Sequence, residues 1–143
     1  GSTTAFLMAE LSLDNTLLGV DLVQDETLIA NDVSESQLWQ QLMQAKQAQQ
    51  MVHLVITLIG GQGHIFGRGN QQLSPRVIRY IIAQSGGKEN ISIIATKAKL
   101  TELENRPLIS DTGDDELDQL LSGFMPITTG YKDHVLYRVS SPK

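Results

Sequence analysis

The chain has 143 residues, 41% of them hydrophobic, enough for one domain with a sizeable core and too few for two independent ones. Asp and Glu (16) outnumber Lys and Arg (11), and the net charge of −5 with scattered basic residues argues against a nucleic-acid surface, leaving room only for a local anion site. With no cysteine there are no disulfides, thiolate metal sites or Cys nucleophiles, which fits a reducing cytoplasm; no apolar run reaches the roughly 18–20 residues of a membrane span.

Gly1-Ser2 has the form of a cleavage scar, so we read 3–143 as a single domain cut from a longer protein. Residues 6–13 and 16–30 are rich in Leu, Val and Ile, broken by Asp14-Asn15 and Gln24-Asp25-Glu26, which predicts a strand followed by a hairpin. Ser34-Glu35-Ser36-Gln37 is a capping box and opens a helix over about 35–49, with Leu38, Trp39, Leu42, Met43 and Ala45 at helical spacing. The β-branched run 52–59 predicts a strand buried on both faces. After the segment 60–70, Ser74-Pro75 predicts a second helix start, with Ser74 as cap and Val77, Ile78, Ile81 and Ile82 as the buried stripe; Gly86-Gly87 ends it.

Ile91 to Thr96 reads as a short strand, 100–104 as one helical turn, and 107–110 as extended. Thr112-Gly113-Asp114-Asp115-Glu116 opens a third helix with acidic residues where the helix dipole favours them, and Leu117, Leu120 and Leu121 form its buried side. Residues 124–129 and 134–139 form a final strand pair around Gly130-Tyr131-Lys132-Asp133. The pattern predicts an α+β fold, a mixed or sandwich-like sheet with about three helices, with α/β as the alternative.

Chemistry is concentrated at 60–70, which holds five of the 12 glycines: Gly60-Gly61-Gln62-Gly63-His64-Ile65-Phe66-Gly67-Arg68-Gly69-Asn70. Glycines admit positive φ and let a ligand reach main-chain N–H groups, as phosphate and ribose cradles require; a bulged, tightly turning strand pair is the plainer reading. A P-loop would need Gly-Lys-Ser/Thr, and the segment has no lysine. A Rossmann turn would open directly into a helix, whereas here the helix waits until Pro75. Arg68 could grip a phosphate through its planar fork, and Asn70 and Gln62 could bond a ribose or base edge, or each could serve solvent and turning backbone.

Elsewhere, Asp21 stands inside the apolar run 19–23 and needs a partner, a ligand or a wet face. Asp111, Asp114, Asp115 and Glu116 could hold Mg²⁺, though helix capping accounts for them more simply. His53, His64 and His134 lack metal-ligand spacing, and only His64 lies within the glycine-rich segment.

The stretch Thr57-Leu58-Ile59-Gly60-Gly61-Gln62-Gly63-His64-Ile65-Phe66-Gly67-Arg68-Gly69-Asn70-Gln71-Gln72-Leu73-Ser74-Pro75 resembles the signature of the acetoin-catabolism X-protein branch of the ATP-NAD kinase superfamily. Gly87-Lys88-Glu89-Asn90-Ile91, Arg106-Pro107-Leu108, Asp111-Thr112-Gly113-Asp114 with Glu116-Leu117-Asp118, Leu121-Ser122-Gly123 and Thr129-Gly130-Tyr131 follow in the same order. The likeness covers roughly 16–139. In the wider family the corresponding element reads Thr-Pro-Thr-Gly-Ser-Thr-Ala-Tyr and helps hold the dinucleotide in the carboxy-terminal domain. Thr57 and Gly60 match it; Leu58 and Gly61-Gln62-Gly63-His64 depart from it.

The resemblance implies a NAD kinase carboxy-terminal-domain fold and a nucleotide site formed by Thr57, Gly60, Gly61, Gln62, Gly63, Arg68 and Asn70. It implies NAD and ATP as substrates of a parent kinase, with Mg²⁺ in that parent. The family's Gly-Gly-Asp-Gly motif, placed in an amino-terminal domain, does not occur in this sequence, so the chain alone is expected to lack kinase activity. The partners expected are a small nucleotide and that amino-terminal domain, with neither nucleic acid nor membrane. A second expectation is non-enzymatic: the segment senses a nucleotide or builds an interface in a homo-oligomer.

Overall fold

The computed structural model describes residues 6–13, 20–24, 27–30, 33–58, 63–66, 73–130 and 132–142. Nine strands form one sheet: β1 Phe6–Leu13, β2 Val20–Gln24, β3 Thr27–Ala30, β4 Met51–Leu58, β5 His64–Phe66, β6 Ile91–Ala95, β7 Leu108–Ser110, β8 Gly123–Gly130 and β9 Asp133–Ser140. The helices are α1 Glu35–Gln47, α2 Pro75–Ala83, α3 Lys97–Glu102 and α4 Asp115–Leu121, with a 3₁₀ turn at Gly87–Asn90. Strand order is β3-β2-β1-β4-β6-β8-β9-β7-β5. β1, β4, β6 and β8 run parallel, β2 and β3 turn back as the expected hairpin, and β9 lies antiparallel to β8. The mixed sheet with four helices among the described residues is the α+β architecture expected.

That order forces curvature. β4 and β5 are neighbours in the chain yet five places apart in the sheet, roughly 24 Å if it were flat at ordinary strand spacing. The steps from Leu58 to His64 reach at most about 21 Å when fully extended. The sheet therefore curls, bringing its β7–β5 end back toward its centre.

α1 starts as its sequence dictates: Ser34 Oγ accepts from Gln37 N at 3.2 Å and Gln37 Oε1 accepts from Ser34 N at 2.9 Å. Its buried residues are Leu38, Leu42 and Ala45, with Trp39 and Met43 packed at the margin. Both α1 and α2 pack on β4. The β4 strand alternates instead of being buried on both faces: Val52, Leu54, Ile56 and Leu58 enter the core, while Met51, His53, Val55 and Thr57 are half-buried. The helices cover one side of the strand closely, so the apolar run reflects a single deep face.

Three further expectations are corrected. Ser74 sits at the N-cap of α2 without capping it, because its hydroxyl is given to Glu35 instead. α2 ends at Ala83, before Gly86-Gly87, because Gln84 turns extended and its side chain behaves as a strand neighbour. Gln84 Oε1 accepts from Val52 N at 2.8 Å, and Nε2 donates to Val52 O and Ile81 O, each at 2.9 Å. Asn90 Nδ2 satisfies the remaining helix end through Ile81 O and Ser85 O. Leu120 is 50% exposed on α4, whose buried side is completed by Asp118.

Candidate functional site around the glycine-rich segment

The glycine-rich segment is held at three described points. Its entry is the end of β4, where Thr57 lies in register between Ser12 of β1 and Ile94 of β6, on the half-buried face of the strand. Its middle, 63–66, docks on the far edge of the sheet: Gly63 O accepts from Ile109 N at 2.8 Å, Phe66 O accepts from Asp111 N at 3.4 Å, and β5 runs parallel to β7. Its exit is the buried Leu73, followed by Ser74 at the head of α2. The described strand β5 thus separates two stretches of the sequence, 59–62 and 67–72, that lie outside the described residues.

Of the seven residues singled out for a nucleotide, Thr57 and Gly63 are described; Gly60, Gly61, Gln62, Arg68 and Asn70 lie outside the described residues. Gly63 has φ +90°, and a Cβ there would stand 3.1 Å from Leu103 Cδ2. A positive φ and close packing together demand glycine at this position. His64 is half-buried on β5 opposite Ile109.

The exit is pinned by a polar clamp between the two helices. Arg76 Nε and Nη2 donate to Glu35 Oε2 and Oε1 at 2.7 and 2.6 Å, the Ser74 hydroxyl donates to the same carboxylate, and the Arg76 guanidinium stacks 4.5 Å from the Trp39 ring centroid. The bond from Arg76 is the main reason Glu35 titrates below the ordinary glutamate range. A depressed folded-state pKa means the clamp stabilises at neutral pH and its contribution is lost as pH falls through that lowered value. Glu35→Gln should therefore melt below the wild type at pH 7, with the gap closing toward pH 3; a gap that stays constant would contradict the assignment.

Beside the end of β5, the 110–118 turn is built around a carboxylate to which the sequence reading gave no role of its own. Asp118 is 2% exposed, and its Oδ1 accepts from Thr112 Oγ1 at 2.8 Å, Thr112 N at 2.9 Å and Ser110 Oγ at 3.1 Å. The signal was present: Asp118 falls on the stripe that Leu117 and Leu121 mark as buried. Asp114 caps α4 through Leu117 N at 3.1 Å and pairs with Arg79 at 2.7 Å, and Glu116 pairs with Arg79 at 3.3 Å. Among the described residues no group of His, Asp and Glu could hold a metal ion, and Asp114 serves the helix end.

The remaining candidates disperse. His53 faces Ser92 across β4 and β6, Nε2 to Oγ 2.8 Å, and burial pushes its imidazole below the ordinary histidine value. His134 is exposed on β9, its Nδ1 3.3 Å from Thr128 Oγ1. Asp21 lies in β2 opposite Glu10, with its side chain outside the described residues. No helix among the described residues is long and apolar enough to cross a membrane.

Compared with known families, residues 1–139 match the model described as the ATP-NAD kinase C-terminal domain. No curated protein and no solved structure matches the chain at the required significance.

Proposed function

The chain belongs to the ATP-NAD kinase C-terminal domain family, and on that premise we propose that it forms the dinucleotide-holding half of a cytoplasmic NAD kinase-like phosphotransferase of the acetoin-catabolism X-protein branch. The match over 1–139 carries this reading. The anchoring of Thr57, 63–66 and Leu73 supports it, since these described points of the segment are held by the sheet and the core.

In this reading Thr57, Gly60, Gly61, Gln62, Arg68 and Asn70 contact NAD or a related dinucleotide. Arg68 supplies a bidentate cation for the pyrophosphate, and the amides of Gln62 and Asn70 supply donors and acceptors for ribose hydroxyls. An amino-terminal domain bearing the Gly-Gly-Asp-Gly motif positions ATP with Mg²⁺, so this half contributes binding and orientation only. Gly63 serves the architecture, holding the start of β5 against Leu103.

Calorimetric titration of the chain with NAD, NADP and ATP tests the proposal. We expect saturable heat with NAD or NADP, none with ATP, and no phosphoryl transfer when ATP and NAD are supplied together. Gly61→Val should abolish the heat, with the melting temperature followed alongside. Absence of binding by either dinucleotide would overturn a site carried by this chain.

A further inference from the structure

A cavity lies between β6 and β8, lined by none of the described residues of the glycine-rich segment. The two strands are in register at Ile93↔Ile127 and Ile94↔Thr128. One step further back, Ser92 would face Pro126, which has no N–H to add to a ladder. Pairing stops there, while β6 continues along β4 and β8 along β9. The gap is a cavity of about 430 Å³, within the range of small-molecule sites.

Its walls are mainly apolar, formed by Ile91, Met125, Pro126 and Phe124, the last 69% exposed. Leu136, in register with Pro126 on β9, is 70% exposed as well, so Phe124 belongs to a bare apolar stretch of the sheet and is a ready platform for a flat apolar group. Its polar end is Lys88, on the 3₁₀ turn that feeds β6. The Lys88 ammonium is half-buried over the start of β8, 4.0 Å from where a Cβ on Gly123 would stand, and its hydrogen bond to Ser122 O is long at 3.4 Å. Among the described residues no carboxylate lies within ion-pair distance of it. Glu89 borders the same cavity but is exposed, where water and salt weaken its field. Thr128 and His134 close the opposite end with hydrogen-bonding groups.

We propose that this cleft binds a small monocarboxylate with an apolar, flat body: the carboxylate takes the unfilled position at Lys88, and the body lies on Phe124 and Pro126. The geometry matches that class because one cation stands at one end of an apolar trough of limited volume. A dinucleotide, with two phosphates and two sugars, would leave most of its polar groups against apolar walls.

NMR titration with 3-phenylpropanoate tests it, with 3-phenylpropan-1-ol and 3-phenylpropylamine as uncharged and cationic matches. Saturable shifts at Ile91, Phe124 and Lys88 are expected with the carboxylate, at least about tenfold weaker with the alcohol, and absent with the amine. Lys88→Met keeps the aliphatic stem and should lower carboxylate affinity by about tenfold or more at unchanged melting temperature, whereas Lys88→Arg should retain binding. Equal affinity for acid, alcohol and amine would reduce the cleft to a greasy surface. Indifference to Lys88→Met, or no saturable shift with the acid, would equally overturn the proposal.

Discussion

Asp118→Ala should lower the free energy of unfolding by about 3–5 kcal/mol, seen as a large drop in denaturant midpoint. The change removes the acceptor of the buried Ser110 hydroxyl and of the Thr112 amide, and leaves the Thr112 hydroxyl only its longer bond to Asp114 O at 3.3 Å. Because all three donors converge on Oδ1, Asp118→Asn keeps an acceptor in place and should cost much less, about 1–2 kcal/mol. Equal losses for Ala and Asn would mean that charge, and not the convergent oxygen, organises the turn.

Gly63→Val is the second large effect, about 2–4 kcal/mol. At φ +90° an L side chain is strained by roughly 1–2 kcal/mol, and the branched Cβ must also displace Leu103 from 3.1 Å. Leu103 is buried at the end of α3, so it has little freedom to yield. The measurement is chemical denaturation of G63V beside G61V. A stable G63V that loses dinucleotide binding would return Gly63 to the ligand and remove it from the architecture.

Local signals were legible because they are written within a few residues. Ser34 and Gln37 form their capping box entirely through neighbours, and the alternation of β8 and β9 follows from residues facing each other across one tight turn. What failed to show depended on distant partners. Ser74 looks like a cap until Glu35, 39 residues earlier, takes its hydroxyl. Gln84 reads as a surface glutamine, yet it completes the start of β4 because Val52 has a free main-chain edge there.

The glycine-rich segment divides the same way. Its composition marked it, and its order of residues placed the chain in a family. The plainer reading, a bulged strand at Ile65-Phe66, agrees with β5, whose register shifts between His64 and Phe66; what was not legible is its partner, because β7 lies more than 40 residues later.

That dependence reaches one strand further. β5 pairs with no strand but β7, and β7 otherwise rests on β9, the last strand in the chain. Among the described residues the middle of the glycine-rich segment therefore rests on pairings with 108–110 and, through them, with 133–140, long-range contacts that carry a loop-closure cost. β9, remote in sequence from every residue assigned to the nucleotide, is thus part of what holds Gly63 and β5 in place.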